Sequence, residues 1–239
     1  MINKKMIILL STYNGEKYIE DQIKSILLQL SKEDELIISD DGSKDKTLEI
    51  INSINDIRIK LIHNIGKHGV VPNFENALKK ATGDYIFLSD QDDIWRNDKL
   101  EKCIKNLENH ILVTHNSLIV TSKGNITGKD FFSIRNSGNG YLRNLYKNSY
   151  VGSCMSFKKE LLPYILPFPK NILWHDMWIG LIAELKGKTL FIPDSLLYYR
   201  RHGNNVSATS EKSNFTFYFQ LKYRLQMLFY SLKRITTVN

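Results

Sequence analysis

The sequence predicts an α/β fold, a Rossmann-like and mostly parallel sheet with helices on both faces, followed by a C-terminal helical tail. Two observations carry this. Over residues 1–110, short apolar β-type runs alternate with helical patterns in the order βαβαβαβ, and such alternation requires crossovers between parallel strands. In addition, Ser11-Thr12-Tyr13-Asn14, Asp40-Asp41-Gly42-Ser43 and Asp90-Gln91-Asp92-Asp93 each follow a strand directly. Open α/β sheets bind ligands beyond the carboxyl ends of their strands, so the three clusters should converge on one edge.

In chain order, "MIILLS" (6–11) reads as the first strand. Ile19, Ile23, Ile26, Leu27 and Leu30 recur at spacings of three and four and predict an amphipathic helix. "ELIISD" (35–40) is the second strand, and "DGSKDKT" then supplies a turn and helix-start residues before a helix carrying Leu48 and Ile51. "IRIKLIH" (57–63) is the third strand, "NFENALKKATG" (73–83) a helix stopped by Gly83, and "DYIFLS" (84–89) the fourth strand. Beyond residue 110, "ILVTHNSLIV" suits a strand and "TSKGNITGKDFFSIRNSGNGYLRN", rich in Gly, Asn and Ser, reads as a mobile loop. "YVGSCMSF" (150–157) predicts a strand, "WHDMWIGLIAELKG" (174–187) a helix, and "TLFIP" and "SLLYYRRHG" two further strands before the polar "NNVSATSEKSN". In the tail, Tyr218, Leu221, Leu225, Leu228, Phe229, Leu232 and Ile235 form a helical stripe. Five cations (Lys212, Lys222, Arg224, Lys233, Arg234) flank it, against Glu211.

The chain has 239 residues, which fit one large α/β domain or two small ones, and 42% of them are hydrophobic, enough for a real core. No run of 18 apolar residues occurs, and the apolar stretch after "MINKK" reaches "STYNGE" too early for a signal peptide. A cytoplasmic protein is therefore expected, with peripheral membrane contact through the tail. Cys103 and Cys154 have no metal-ligand spacing and read as reduced packing residues. A formal charge of +8 invites a nucleic-acid reading, but no zinc-finger, RRM-type or helix-turn-helix signature accompanies it, and the same excess suits a phosphate-bearing substrate or an anionic membrane surface.

Three carboxylates at the tip of a core strand repel one another and call for a cation. Asp90 and Asp92 stand at i and i+2, so an extended segment would present both to one side. Mg2+ or Mn2+ fits, since such ions take one or two carboxylates together with a substrate's phosphate oxygens. The competing reading is an acidic start to the helix around Leu100 and Ile104, with Asp92 or Asp93 as its cap. Asp40 can accept the N3–H of uracil or thymine, or it simply closes a turn at Gly42. Thr12, Tyr13 and Asn14 are equally loop or binding residues. Asp176, at a helix start between Trp174 and Trp178, suits a general base with a raised pKa, or a first-turn carboxylate held by backbone amides. His202 suits a metal or diphosphate ligand, with Arg200 and Arg201 near phosphate charge, or a structural histidine.

Taken together, "LSTYNGEKYIEDQIKSIL", "IISDDGSKDKT", "ATGDYIFLSDQDDIW", "HDMW" and "YRRHGNNVS" resemble the family 2 glycosyltransferases, inverting enzymes with the GT-A fold. The likeness runs from about residue 5 to 207. It implies a glycosyltransferase domain over 1–207, with a nucleotide-binding half (1–110) and an acceptor-binding half (111–207), and a basic amphipathic helix over 208–239. It implies that Thr12, Tyr13, Asn14, Glu16, Asp40, Lys67, Asp90 and Arg201 bind the nucleotide sugar, that Asp90, Asp92 and His202 hold Mn2+ or Mg2+, and that Asp176 is the catalytic base. The wording "SDQDDIW" with "YRxHGNNV" resembles the bacterial rhamnosyltransferase subgroup that builds surface polysaccharide. This implies dTDP-L-rhamnose as donor, with UDP-hexoses or UDP-N-acetylhexosamines as alternatives, and a glycan acceptor carried on lipid at the inner membrane face. Two departures stand out. The base motif usually reads Glu-Asp and here is His175-Asp176, and the Q-x-x-R-W signature of processive synthases is absent, so one sugar is expected per encounter. A nucleotidyltransferase would share the layout but needs a Gly-rich triphosphate loop, whereas only Gly15 follows the first strand.

Overall fold

A computed structural model describes residues 4–202 and 215–238. The polar stretch 204–214, the 207/208 boundary, the end of the "YRRHGNNVS" motif, Glu211 and Lys212 lie outside them. The first half runs β1 (Met6–Thr12), α1 (Ile19–Leu27), β2 (Glu35–Asp40), α2 (Thr47–Ser53), β3 (Ile59–His63), α3 (Val70–Leu78), β4 (Tyr85–Asp90), β5 (Ile94–Trp95) and α4 (Lys99–Leu107). The second half runs β6 (Leu112–Thr121), β7 (Ile126–Asp130), α5 (Phe131–Arg135), α6 (Tyr141–Tyr146), β8 (Met155–Lys158), α7 (Leu162–Ile165), α8 (His175–Lys186), β9 (Thr189–Arg201) and α9 (Phe217–Thr237).

One sheet joins the strands in the order β3-β2-β1-β4-β8-β6-β9-β5, with β7 paired to β6. The block β3-β2-β1-β4 is parallel, as expected, and β8 is antiparallel to β4 and β6. Successive side chains of a strand point to opposite faces, so Ile7 and Leu9 enter one core with Phe74, Trp178 and Met227, while Ile8 and Leu10 enter the other with Ile23, Ile26 and Leu100. Both layers are dry, which is why the parallel strands read as continuous apolar runs rather than alternating ones.

Several boundaries differ from the sequence reading. Helix α3 begins at Val70, because Gly69 turns the chain at φ +125° and Pro72 occupies the first turn, where a missing N–H costs nothing. Gly83 does not stop it. A Cβ there would lie 2.6 Å from Ile7 Cγ1 and 2.7 Å from the Lys5 carbonyl, so this glycine allows the close approach of β1. Residues 150–157 are not one strand, since a 3-10 turn over Gly152–Cys154 precedes β8. The two strands read before and after Pro193 are one. Ile192 pairs with His115 and Ser195 with Asn116, so Pro193 and Asp194 form a bulge inside β9.

The segment expected as a loop at 121–144 contains β7, α5 and α6. These elements are short and locally capped: Asp130 accepts from the Ser133 N–H at 3.0 Å and Asn136 ends α5 at φ +53°. The cysteines are buried and free, as expected. Helix α9 buries Tyr223, Met227 and Ser231 against the body while Tyr218, Leu221, Leu225, Phe229 and Leu232 stay exposed. Among the described residues no helix is long and apolar enough to cross a membrane.

Candidate active site

The strand ends converge as the spacing predicts. In register, Ser11 pairs with Asp90, Thr12 with Asp40 and Asp40 with His63. Neighbouring strands lie about 4.8 Å apart, so these residues form one row along the carboxyl edge.

The loop after β1 is locked to both neighbours. Gln91 clasps it, its Oε1 accepting from Thr12 Oγ1 at 2.6 Å and from the Tyr13 N–H at 2.8 Å, and its Nε2 donating to the Tyr13 carbonyl at 3.1 Å. A side chain at Gly15 would collide with Gln91, which accounts for the glycine. Asn14, at φ +48°, donates its N–H to Ser43 Oγ at 2.9 Å and accepts from the Lys44 N–H at 2.8 Å. The Glu16 N–H reaches Asp45 at 3.1 Å, and Glu16 Oε2 accepts from the Lys46 N–H at 3.1 Å. Tyr13, Asn14 and Glu16 remain exposed. Sequence reasoning missed Gln91, although its place between the aspartates of the acidic motif was a signal.

Asp40 is fully buried. Its Oδ2 accepts from the Gly42 and Ser43 N–H groups at 2.9 and 3.0 Å and its Oδ1 from Ser43 Oγ at 2.5 Å, so the carboxylate closes its own turn. Asp41 ties the next loop in place, accepting from Asn64 Nδ2 at 2.6 Å and the Gly69 N–H at 2.7 Å. That loop carries Lys67, which is exposed.

The acidic tip differs from the extended segment assumed from the sequence. Gln91 and Asp92 form a turn, and the turn itself brings the carboxylates together. Burial, then repulsion from Asp92 and Asp176, pushes Asp90 up to about 7. Asp93 is buried and raised well above the carboxylate range, first by burial and then by Asp92 and Asp90. Neither Asp92 nor Asp93 caps the following helix, because Asp98 holds that position in α4. Asp92 Oδ2 pairs with His202 Nε2 at 2.7 Å, and the His202 ring stacks on Tyr18 with centroids 5.0 Å apart.

Beneath the tip lies Lys99, fully buried, its Nζ donating to the Ser153 carbonyl at 2.8 Å and standing 4.0 Å from the centroid of the Trp95 ring. Burial lowers it to about 8, and Asp93 and Asp90 oppose that shift. No sequence signal distinguished this lysine from the solvated ones of the same helix. Arg200, expected near phosphate, instead clamps the turn. Its guanidinium lies over Tyr18 at 4.7 Å and donates to the carbonyls of Asp92 and Ser122, each at 3.1 Å, while its N–H donates to Asp93 Oδ1 at 3.1 Å. Arg201 is exposed at the end of β9.

Asp176 comes from the other half, in the first turn of α8. Its neighbour His175 stacks on Phe74 of α3 with centroids 4.2 Å apart, which anchors the helix start against α3. Burial of His175 depresses it to about 3. The half-buried Asp176 is raised to about 6, chiefly by burial, against the Met177 N–H it accepts at 2.7 Å and the Arg135 cation. Asp176 and Asp90 are within electrostatic reach of one another. The site thus sets the raised carboxyl of Asp176 on one side and mutually repelling carboxylates on the other.

Among the described residues no group of three His, Cys, Asp or Glu side chains would hold a metal alone. Asp92 lies within electrostatic reach of Asp90 and is bonded to His202, and a divalent ion shared with a ligand's oxygens would offset the repulsion that, after burial, raises Asp90.

A family model described as Glycosyl transferase family 2 matches residues 7–165. The chain is 30% identical over 181 residues to the UDP-Glc:alpha-D-GlcNAc-diphosphoundecaprenol beta-1,3-glucosyltransferase WfgD of Escherichia coli, covering 74% of this chain and 69% of that protein. It is 29% identical over 211 residues to the dTDP-rhamnosyl transferase RfbG of Shigella flexneri, covering 82% and 72%. Its fold is similar to that of S. aureus TarS 1-349 in complex with UDP-GlcNAc, with TM-score 0.71 and 21% identity over 94% of this chain and 66% of that one. It is also similar to the mannosyltransferase PcManGT from Pyrobaculum calidifontis in complex with GDP-Man and Mn2+, with TM-score 0.62 and 18% identity over 98% and 64%. The chain therefore spans just under two thirds of each of these solved structures.

Proposed function

We propose, from the premise that this chain belongs to glycosyl transferase family 2 and has the GT-A fold, that it transfers one sugar from a nucleotide diphosphate to a hydroxyl of a lipid-linked glycan, with inversion at the anomeric carbon. The observation that carries this reading is the row Ser11–Asp90 and Thr12–Asp40 along one sheet edge, faced by Asp176 from the second half.

Residues 1–110 bind the nucleotide and 111–207 the acceptor. Thr12, Tyr13, Asn14 and Glu16 form the loop against which the nucleoside lies, and Asp40 holds the turn that frames it. Lys67 and Arg201 are exposed cations suited to the diphosphate. Asp90, Asp92 and His202 would hold Mn2+ or Mg2+, which would neutralise diphosphate charge and so favour its departure; the Mn2+ in the Pyrobaculum protein supports this. Asp176, raised to about 6, is ionised at neutral pH yet basic enough to accept a proton. It takes the acceptor hydroxyl's proton as that oxygen bonds the anomeric carbon. The bond from that carbon to the diphosphate breaks on the opposite face, and the nucleoside diphosphate leaves with the electron pair.

The donor is dTDP-L-rhamnose, supported by the acidic and histidine motifs and by the Shigella relative. The second reading is UDP-glucose, favoured by the E. coli relative, whose diphosphoundecaprenol substrate also supports a lipid-linked acceptor. With that acceptor the enzyme works at the cytoplasmic membrane surface, with α9 against the lipid. A thermal-shift screen of dTDP-rhamnose, UDP-glucose, UDP-GlcNAc and GDP-mannose, each with and without Mn2+, tests the donor. The reading expects dTDP-rhamnose to give the largest shift, only with metal; a larger shift from UDP-glucose would select the second reading.

A further inference from the structure

Between α5 and α6, next to the base, lies a cavity of about 260 Å3 lined by Arg135, Asn136, Arg143, Tyr146 and Lys147. Three of its five lining residues are cations and none is an acid. Arg135 is half-buried and within electrostatic reach of Asp176. The Arg143 guanidinium lies across the Gly138 backbone, where a Cβ would come within 2.9 Å of Nη1, and donates to the Asn136 carbonyl. The positive φ of Asn136 and Gly140 turns the chain around it. The Gly/Asn-rich composition of this stretch thus builds a cationic recess.

An apolar face adjoins the recess. Leu142 and Tyr146 of α6 are 74% and 70% exposed. Helix α9 touches α6 directly, through Tyr141 Oη to Ser231 Oγ at 2.7 Å and Arg224 Nε to the Tyr146 carbonyl at 2.9 Å. At 100° per residue, Arg224 and Ser231 mark the edge of α9 bordering Leu221, Leu225 and Leu228. The exposed α6 residues therefore continue into the exposed stripe of α9. A strongly anionic head beside a hydrocarbon chain is the chemistry that matches a cationic recess opening onto an apolar face.

We propose that Arg135, Arg143 and Lys147 bind the phosphate or diphosphate that joins the acceptor's sugar to its lipid, and that the α6–α9 face receives the first part of that lipid. This rests on the glycosyltransferase reading above and adds a subsite to it. Arg135 spans the two sites and fixes how far the acceptor hydroxyl stands from Asp176, so the acceptor is measured from its phosphate.

The test is titration calorimetry of the full chain with farnesyl diphosphate, farnesol and inorganic pyrophosphate, in EDTA so that no metal joins the nucleotide side. Farnesyl diphosphate is expected to bind at least about tenfold more tightly than either fragment, burial of its chain giving the gain over pyrophosphate and two charge-assisted contacts the tenfold gain over farnesol. R143Q/K147Q should lose that factor, and L142S/L225S should bring farnesyl diphosphate down to the affinity of pyrophosphate. Unchanged affinity in R143Q/K147Q, or equal binding of farnesol, overturns the proposal. Loss of farnesyl diphosphate binding to an excess of phosphatidylcholine–phosphatidylglycerol vesicles, with no loss to vesicles of phosphatidylcholine alone, would identify bulk anionic headgroups as the ligand and overturn it too. Both variants carry exposed substitutions, and thermal melting checks that they fold. A parallel Mn2+-dependent shift with dTDP and UDP separates the two readings: nucleotide shifts in the wild type, with a farnesyl diphosphate affinity that does not depend on Arg143 and Lys147, remove only this subsite, whereas no nucleotide shift in the wild type removes the functional reading beneath it.

Discussion

His202 Nε2 lies 2.7 Å from Asp92 Oδ2, joining the end of β9 to an acidic turn 110 residues earlier in the chain. The pair places an imidazole against the carboxylate assigned to the cation. At the Mn2+ concentration that saturates the wild type, D92A should lower transfer by at least about 100-fold and H202A by about 10- to 100-fold, since His202 also orients Asp92. Initial rates against Mn2+ concentration check this, with the H202A loss partly recovered at high Mn2+.

Asp176 gives a pH profile of known sign. Its carboxyl is raised from the ordinary range to about 6, chiefly by burial. Below that value it is protonated and cannot accept the hydroxyl proton, so kcat/KM should fall about tenfold per pH unit below 6 and level off above it. D176N should remove the limb and reduce the rate by about 100- to 10,000-fold. Rates from pH 5 to 8.5 in wild type and D176N give the comparison.

Lys99 is the buried cation beneath Asp90 and Asp93. K99A removes the Ser153 and Trp95 contacts and leaves a cavity where a fully buried side chain stood, so unfolding stability should fall by about 2–5 kcal/mol. The urea midpoint measures it.

The exposed stripe of α9 makes a prediction that separates binding from folding. L225S/F229S should leave the thermal midpoint nearly unchanged, because Leu225 and Phe229 are 57% and 60% exposed. It should cut sedimentation with anionic vesicles several-fold, since each residue contributes apolar area only when lipid covers it.

The parallel half of the fold was legible because its strands are buried on both faces and its helices carry a clear period. Ile7 to Leu10 could hardly be anything but a core strand, and strand-end placement put Thr12, Asp40 and Asp90 in one row. The helix start that carries Asp176 was legible, although Trp178 turned out to serve the core and Trp174 to pack on Phe215 and Tyr223.

What was hidden depended on long-range packing. Lys99 and Arg200 look like solvated cations until β9 and the 3-10 turn at Gly152 close over them. The β9 bulge was read as a break because a proline in a strand usually ends it. The segment at 121–144 has the composition of a loop, and its short helices exist through caps and left-handed asparagines rather than through any apolar period. The Asp90–Asp92 pair was placed together on a wrong premise, extended geometry, where a turn does the work.

The most direct measurement is nucleoside diphosphate release from dTDP-rhamnose and UDP-glucose with Mn2+, in wild type, D92A and D176N, with a lipid-diphosphate-linked sugar as acceptor. Release from one donor by the wild type is expected, abolished by EDTA and by D92A, and reduced at least about 100-fold by D176N. Release at the wild-type rate by D92A and D176N, or none from either donor in any protein, would contradict the functional reading.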